Sequence, residues 1–180
     1  MKVLVAYASK YGFTRGIADF VADKMRENGV DTIAESVDKV SRPEDYDAFV
    51  IGSAVFLGKW MKQAHEFVTK NQQLLAKKPV WLFSSGPTGT SKTDKKGRDL
   101  LEASIPYDIA DFKRIINPRD HHVFYGGFKV SQHGLGIRLL AKSATVREAM
   151  QEGDFRDWTA IGEWATGIAK ELESLQRGSN

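Results

Sequence analysis

The chain opens on an apolar run, Lys2–Ala8 ("KVLVAYA"), which predicts a strand buried on both faces, as in a parallel sheet. After a turn at Ser9–Thr14, Ile17, Ala18, Phe20, Val21 and Met25 recur at helical spacing, and Asn28-Gly29 ends that helix. Val30–Val37 predicts a second strand, of mixed polarity and nearer an edge, and Tyr46–Ala54 a third with an apolar centre. Met61, Ala64, Phe67, Val68, Leu74 and Leu75 predict a helix over Met61–Ala76. Lys78–Gly86 reads as a fourth strand, followed by the polar loop "TGTSKTDKKG" and a short helix in "RDLLEASI". His121–Phe128 reads as a fifth strand. Trp158, Ile161, Trp164, Ala165, Ile168 and Leu172 form one apolar stripe on a closing helix, where both tryptophans are expected to pack in the core.

Strands separated by helices long enough for crossovers give an α/β fold, doubly wound around a parallel sheet, in one domain spanning 1–180. Such sheets bind ligands beyond the carboxyl ends of their strands. Ser9, Ser53 and the Ser84-Ser85-Gly86 run stand at three of those ends, and one shared ligand would explain all three.

The 180 residues suit one domain, which at this length buries about 70% of its unfolded surface. The absence of cysteine excludes disulfides, thiolate metal sites and a Cys nucleophile. The first residues do not show a basic n-region with a longer apolar stretch and a small-residue cleavage site, so a secretory leader is not expected, and no stretch reaches the roughly 18 apolar residues that span a bilayer. A cytoplasmic protein is the default expectation. The net charge of +3 points to no partner by itself, and nothing in the chain suggests nucleic acid.

The Ser9–Thr14 turn ("SKYGFT") has two readings. It is an N-cap serine with a turn glycine, or it is an anion site. In the second, the unpaired N–H groups and dipole of the following helix, with hydroxyls at Ser9 and Thr14, hold a phosphate monoester. The P-loop pattern is missing, as is a dinucleotide G-x-G-x-x-G after the first strand. The "GLG" at Gly134–Gly136 lies far from that position.

"SKYGFT" resembles the flavodoxin phosphate loop, [ST]-x-x-G-x-T, which holds the 5′-phosphate of FMN. "DAFVIGSAVFLGKW" resembles the segment lining one face of the isoalloxazine ring, and "SSGPTG" sits where the family's next flavin-contacting loop begins. The resemblance implies a flavodoxin-like three-layer sandwich: a five-stranded parallel sheet of order 2-1-3-4-5, helices on both faces, and a long insertion after the fifth strand. Within that family, "YDAFVIGSAVFLGKWMKQAHEFV" and the closing "DWTAIGEWATGIAKEL" look like the menaquinone-dependent protoporphyrinogen oxidases, which carry an insertion where this chain has Phe128–Phe155. That family's insertion is richer in aromatic and arginine residues, and "GPTGTSKTDKKG" is not evidently theirs.

The resemblance implies FMN as cofactor. It places Ser9, Lys10, Tyr11, Gly12, Phe13 and Thr14 at the phosphate, and Ser53, Ala54, Val55, Phe56, Leu57, Ser85, Gly86, Pro87 and Thr88 around the ring. Phe56 either stacks on the flavin or is a half-buried loop aromatic, with Trp60 as the alternative stacking ring. Lys10 is expected to point to solvent. No side chain stands out as a catalytic acid or base. His121 and His122 are adjacent on a strand and face opposite sides, so they do not chelate one metal ion.

In the insertion, Leu135, Ile137, Leu139 and Leu140 give apolar character, and Lys129, Arg138, Lys142 and Arg147 give charge. It is a solvated excursion, a cover over the flavin edge, or a peripheral membrane contact. The implied function is an FMN-dependent oxidoreductase passing reducing equivalents between a small-molecule substrate and a quinone. The alternative is a flavodoxin-type electron carrier with protein redox partners.

Overall fold

The computed structural model describes residues 1–94, 96–132 and 152–178. A parallel sheet carries the fold. β1 (Lys2–Ala8) lies between β2 (Asp31–Ser36) and β3 (Ala48–Phe56). β5 (Val80–Ser85) follows on β3, and β6 (Asp120–Phe124) on β5. The order β2-β1-β3-β5-β6 is the expected 2-1-3-4-5 once the short β4 (Lys59–Trp60), an antiparallel return on β3, is set aside.

β1 is buried on both faces because it feeds two cores. Leu4 and Ala6 pack with the helices α2 (Lys62–Lys70), α3 (Gln72–Leu75) and α5 (Asp108–Ile116). Val3 and Val5 face α1 (Phe13–Glu27) and α6 (Trp158–Gly178) on the other side. A one-turn helix, α4 (Leu100–Ala103), precedes α5, with the Asp99 carboxylate capping it through the N–H groups of Leu101 and Glu102.

The helix expected over Met61–Ala76 is two helices. The Asn71 side chain donates to the Phe67 carbonyl at 2.8 Å, competing with the backbone and closing α2. α5 was not foreseen, although Ile109, Phe112 and Ile116 recur at helical spacing; it, not the short α4, covers the sheet between β5 and β6. The fifth strand stops at Phe124, where Gly126 N–H turns to the Pro87 carbonyl at 2.9 Å. Gly127–Phe128 (β7) then pairs antiparallel with Gly153–Asp154 (β8). This small ribbon is the base of the 128–155 excursion; Leu135, Ile137, Arg138, Leu139, Leu140, Lys142 and Arg147 lie outside the described residues.

The two tryptophans of the closing stripe sit at the margin of the core. Trp164 is half-buried with its indole N–H on the Asp120 carboxylate at 2.7 Å, and Trp158, 38% exposed, lies edge-on to Phe20. Among the described residues no helix is long and apolar enough to cross a membrane.

Candidate functional site

A cleft of about 220 Å³ opens at the carboxyl ends of β1, β3 and β5. Enclosing small-molecule sites are commonly ~300 Å³ or more, so a flavin-sized ligand here keeps part of its surface in solvent.

The β1–α1 loop forms one wall. Gly12 takes φ 88°, a left-handed conformation at the head of α1, so that its carbonyl accepts the first helical bond from Gly16 N–H at 2.9 Å. Ser9 Oγ accepts from Gly12 N–H at 3.1 Å and keeps its own proton to donate. The first-turn N–H groups of α1 lack intrahelical acceptors, and no acidic side chain occupies that turn. Thr14 is only 2% exposed, yet its hydroxyl has no hydrogen-bond partner among the described residues and the residue lines the cleft. A hydroxyl that opens onto the cleft with no protein partner, beside a helix N-terminus, suits an anion with several acceptor oxygens.

Other predicted residues meet this wall. Lys10, Tyr11 and Phe13 line the cleft with Ser9 and Thr14; Gly12 shapes the loop but does not line it. Ala54, Val55 and Phe56 from β3 form a second side, with Phe56 43% exposed. The Lys10 ammonium lies 5.8 Å from the Phe56 ring centre and 5.3 Å from that of Tyr11, so this exposed lysine leans across the mouth. Ser85, Gly86 and Thr88 complete the far side. Arg15 turns outward and pairs with Asp19 at 3.3 Å.

Three predicted residues have other places. Ser53 is fully buried: its hydroxyl donates to the Ala54 carbonyl at 2.8 Å and accepts from Met61 N–H at 2.9 Å, fixing the return from β3 into α2. Pro87 is off the lining, its carbonyl engaged by Gly126. Leu57 is fully exposed at the tip of the β3–β4 turn and also off the lining. Trp60 is buried against Phe112, its indole N–H on Ser84 Oγ at 2.8 Å, so it offers no stacking face.

Sequence reasoning missed Gly126, Gly127 and Phe128, which also line the cleft. Small residues ending the fifth strand, in "YGGF", were the signal, of the same kind as the other strand ends.

The histidines do diverge. His121 Nε2 lies 2.8 Å from Ser84 Oγ, whereas His122 stacks by Phe124 and Trp164. Burial, then the nearby Lys113 charge, pushes His121 down to about 4. The Trp60 indole can only donate to Ser84, which leaves the serine proton for a neutral His121 nitrogen. Among the described residues no three His, Asp or Glu side chains gather as metal ligands.

Residues 4–152 match the family model described as "Flavodoxin domain". The chain belongs to the flavodoxin-domain family. Its cofactor is accordingly FMN, and the donor-rich β1–α1 loop, free of acidic residues in the first turn of α1, fits a phosphate monoester. This flavodoxin domain is also 31% identical over 86 residues to protoporphyrinogen IX dehydrogenase [quinone] of Escherichia coli K12, a match covering 47% of this chain and 48% of that protein. The chain thus spans about half the length of the curated relatives it matches. Among solved structures, it resembles a flavodoxin from the domain Archaea (TM-score 0.58, 20% identity, 96% of this chain and 99% of that one). It also resembles rubredoxin oxygen:oxidoreductase of Desulfovibrio gigas (TM-score 0.60, 14% identity, 96% of this chain and 36% of that one).

Proposed function

We propose that this flavodoxin-domain protein is an FMN-dependent oxidoreductase that passes reducing equivalents between an organic substrate and a quinone. The observation that carries the cofactor site is Thr14, a nearly buried residue that lines the cleft at the head of α1 and whose hydroxyl no group of the described residues engages. Ser9, Thr14 and the first-turn N–H groups hold the phosphate, with Tyr11 and Phe13 as its apolar shoulders. Val55, Phe56, Gly86 and Thr88 border the ring, joined by Gly126 and Gly127, and Phe56 is its stacking partner. FMN supplies the electron and hydride chemistry; the residues bind it, orient it and leave one edge open to a second reactant.

The partial likeness to a protoporphyrinogen dehydrogenase that uses quinone supports the quinone, and a porphyrinogen as the organic substrate. In this reading the protein works in the cytoplasm or at the membrane surface where quinone resides. The test is turnover of the FMN-loaded protein with a menaquinone analogue, without a second enzyme, using chemically prepared protoporphyrinogen as donor. Quinone reduction coupled to porphyrin formation supports the proposal. Electron transfer only to protein partners, with neither small molecule turned over, replaces it with an electron carrier.

A further inference from the structure

A single ionised side chain lines the cleft among the described residues. It is Lys10, and no Asp or Glu faces it; the other lining residues are small, hydroxyl-bearing or apolar. Lys10 makes no ion pair among the described residues. Its ammonium rests instead 5.3 Å from the Tyr11 ring centre and 5.8 Å from that of Phe56. The carboxylates on either side of the β1–α1 wall are already held, Asp19 by Arg15 and Asp154 by Arg156. Neither cancels the Lys10 charge.

The position of that charge gives it a use. Ser9, Thr14 and the first turn of α1 form the phosphate end of the cleft, and they do so with neutral donors. Phe56 stands at the carboxyl end of β3, and an ammonium that reaches its ring lies at the flavin-ring end. This placement rests on the reading above, in which FMN occupies the cleft with its ring against Phe56. The oxidised ring is neutral. When an organic donor gives up two electrons and two protons, the ring keeps both electrons and one proton, and the second proton passes to water. The reduced ring then carries one negative charge, and a cation at its side attracts that state and not the neutral one.

We propose that Lys10 sets the redox poise of the site, its ammonium favouring the reduced, anionic flavin ring over the oxidised ring. The cleft then draws electrons from its organic donor more strongly than the same cleft without the charge.

The test is anaerobic potentiometric titration of the full-length protein, loaded with FMN and, separately, with riboflavin. Lys10→Met keeps an unbranched stem and removes the charge. Its preference for reduced over oxidised FMN is expected to fall about tenfold, which lowers the two-electron midpoint by about 30 mV. Its affinity for oxidised FMN is expected to stay within about twofold of the parent. Riboflavin is expected to show the same shift, because the phosphate takes no part. The difference from the parent is expected to shrink with salt, since Lys10 is exposed. Lys10→Arg keeps the charge and is expected to keep the parent potential. Lys59→Met, which removes an exposed charge off the cleft lining, is expected to keep it too. An unchanged potential in Lys10→Met overturns the proposal, and so does an equal shift in Lys59→Met. Equal weakening of oxidised and reduced FMN, absent with riboflavin, also overturns it, because Lys10 then holds the phosphate. A parent that binds no FMN removes the cofactor reading and this proposal together; a parent that binds FMN without the Lys10 shift removes this proposal alone.

Discussion

Arg156 ties the head of α1 to the base of the 128–155 excursion: its Nη1 donates to the Phe13 carbonyl at 3.0 Å, across 143 residues of sequence. The same guanidinium lies over the Phe13 ring at 5.2 Å and the Trp158 ring at 4.3 Å, and its Nε donates to Asp154 at 2.7 Å. The Arg156 hydrogen bonds hold the Asp154 carboxyl below its usual range. The Arg156 side chain is largely buried, so solvent and salt screen its contacts between the cleft wall and the β7–β8 ribbon only weakly.

Arg156→Ala is expected to lower stability by about 1–2 kcal/mol, chiefly because it strips a charged donor from the half-buried Phe13 carbonyl; the partly exposed Asp154 carboxylate is resolvated by water. The loosened β1–α1 loop should also bind FMN more weakly. Denaturant melts and flavin fluorescence titration measure the two effects; Arg156→Lys, which keeps the charge but not the fork, is expected to fall between parent and alanine.

Thr14→Ala is expected to weaken FMN by about 1.5–3 kcal/mol while leaving riboflavin affinity unchanged, because only a hydroxyl facing a charged phosphate is lost. Paired titrations with the two flavins decide it. Equal losses for both would move Thr14 away from the phosphate.

Ser53→Ala is expected to destabilise the fold by about 1–3 kcal/mol, since Met61 N–H loses its buried acceptor. FMN should still load in full amount. Thermal melts and the stoichiometry of bound flavin separate this structural role from a cofactor contact.

Gly127→Ala is expected to disrupt the cleft, because a Cβ there would lie 2.1 Å from the Phe13 ring. The ring must leave its place beside the Arg156 guanidinium. The expected readout is weaker FMN binding with the sheet intact by circular dichroism.

Stability is expected to fall as the pH drops from about 6.5 toward 4. The folded His121 is held near 4, below its ordinary 6.5, so the unfolded chain takes up this proton first. The stabilisation is complete above 6.5 and is lost progressively down to the folded value, by about 3 kcal/mol at most. His121→Gln, which keeps an acceptor for the Ser84 hydroxyl, should flatten that acid-side loss in melts taken across the same range.

The sequence by itself determined the parts of this flavodoxin domain that depend on local periodicity and turn chemistry. The continuous apolar run of β1 required burial on both faces, and Ser9–Thr14 carried the loop that heads α1. Helix breaks and turns made by single side chains were less legible: Asn71 looked like one more polar position until its amide was seen closing α2. The tertiary structure alone decided which strand-end residues reach the cleft. Ser9 and Ser53 are equivalent in sequence, but the β3–β4 return brings Met61 onto Ser53 and consumes its hydroxyl, while Ser9 keeps a proton at the open loop. Gly126–Phe128 joins the site because β6 lies beside β5, and Arg156 reaches Phe13 because α6 packs on α1. Such contacts follow from pairing between distant segments, which no window of neighbouring residues encodes.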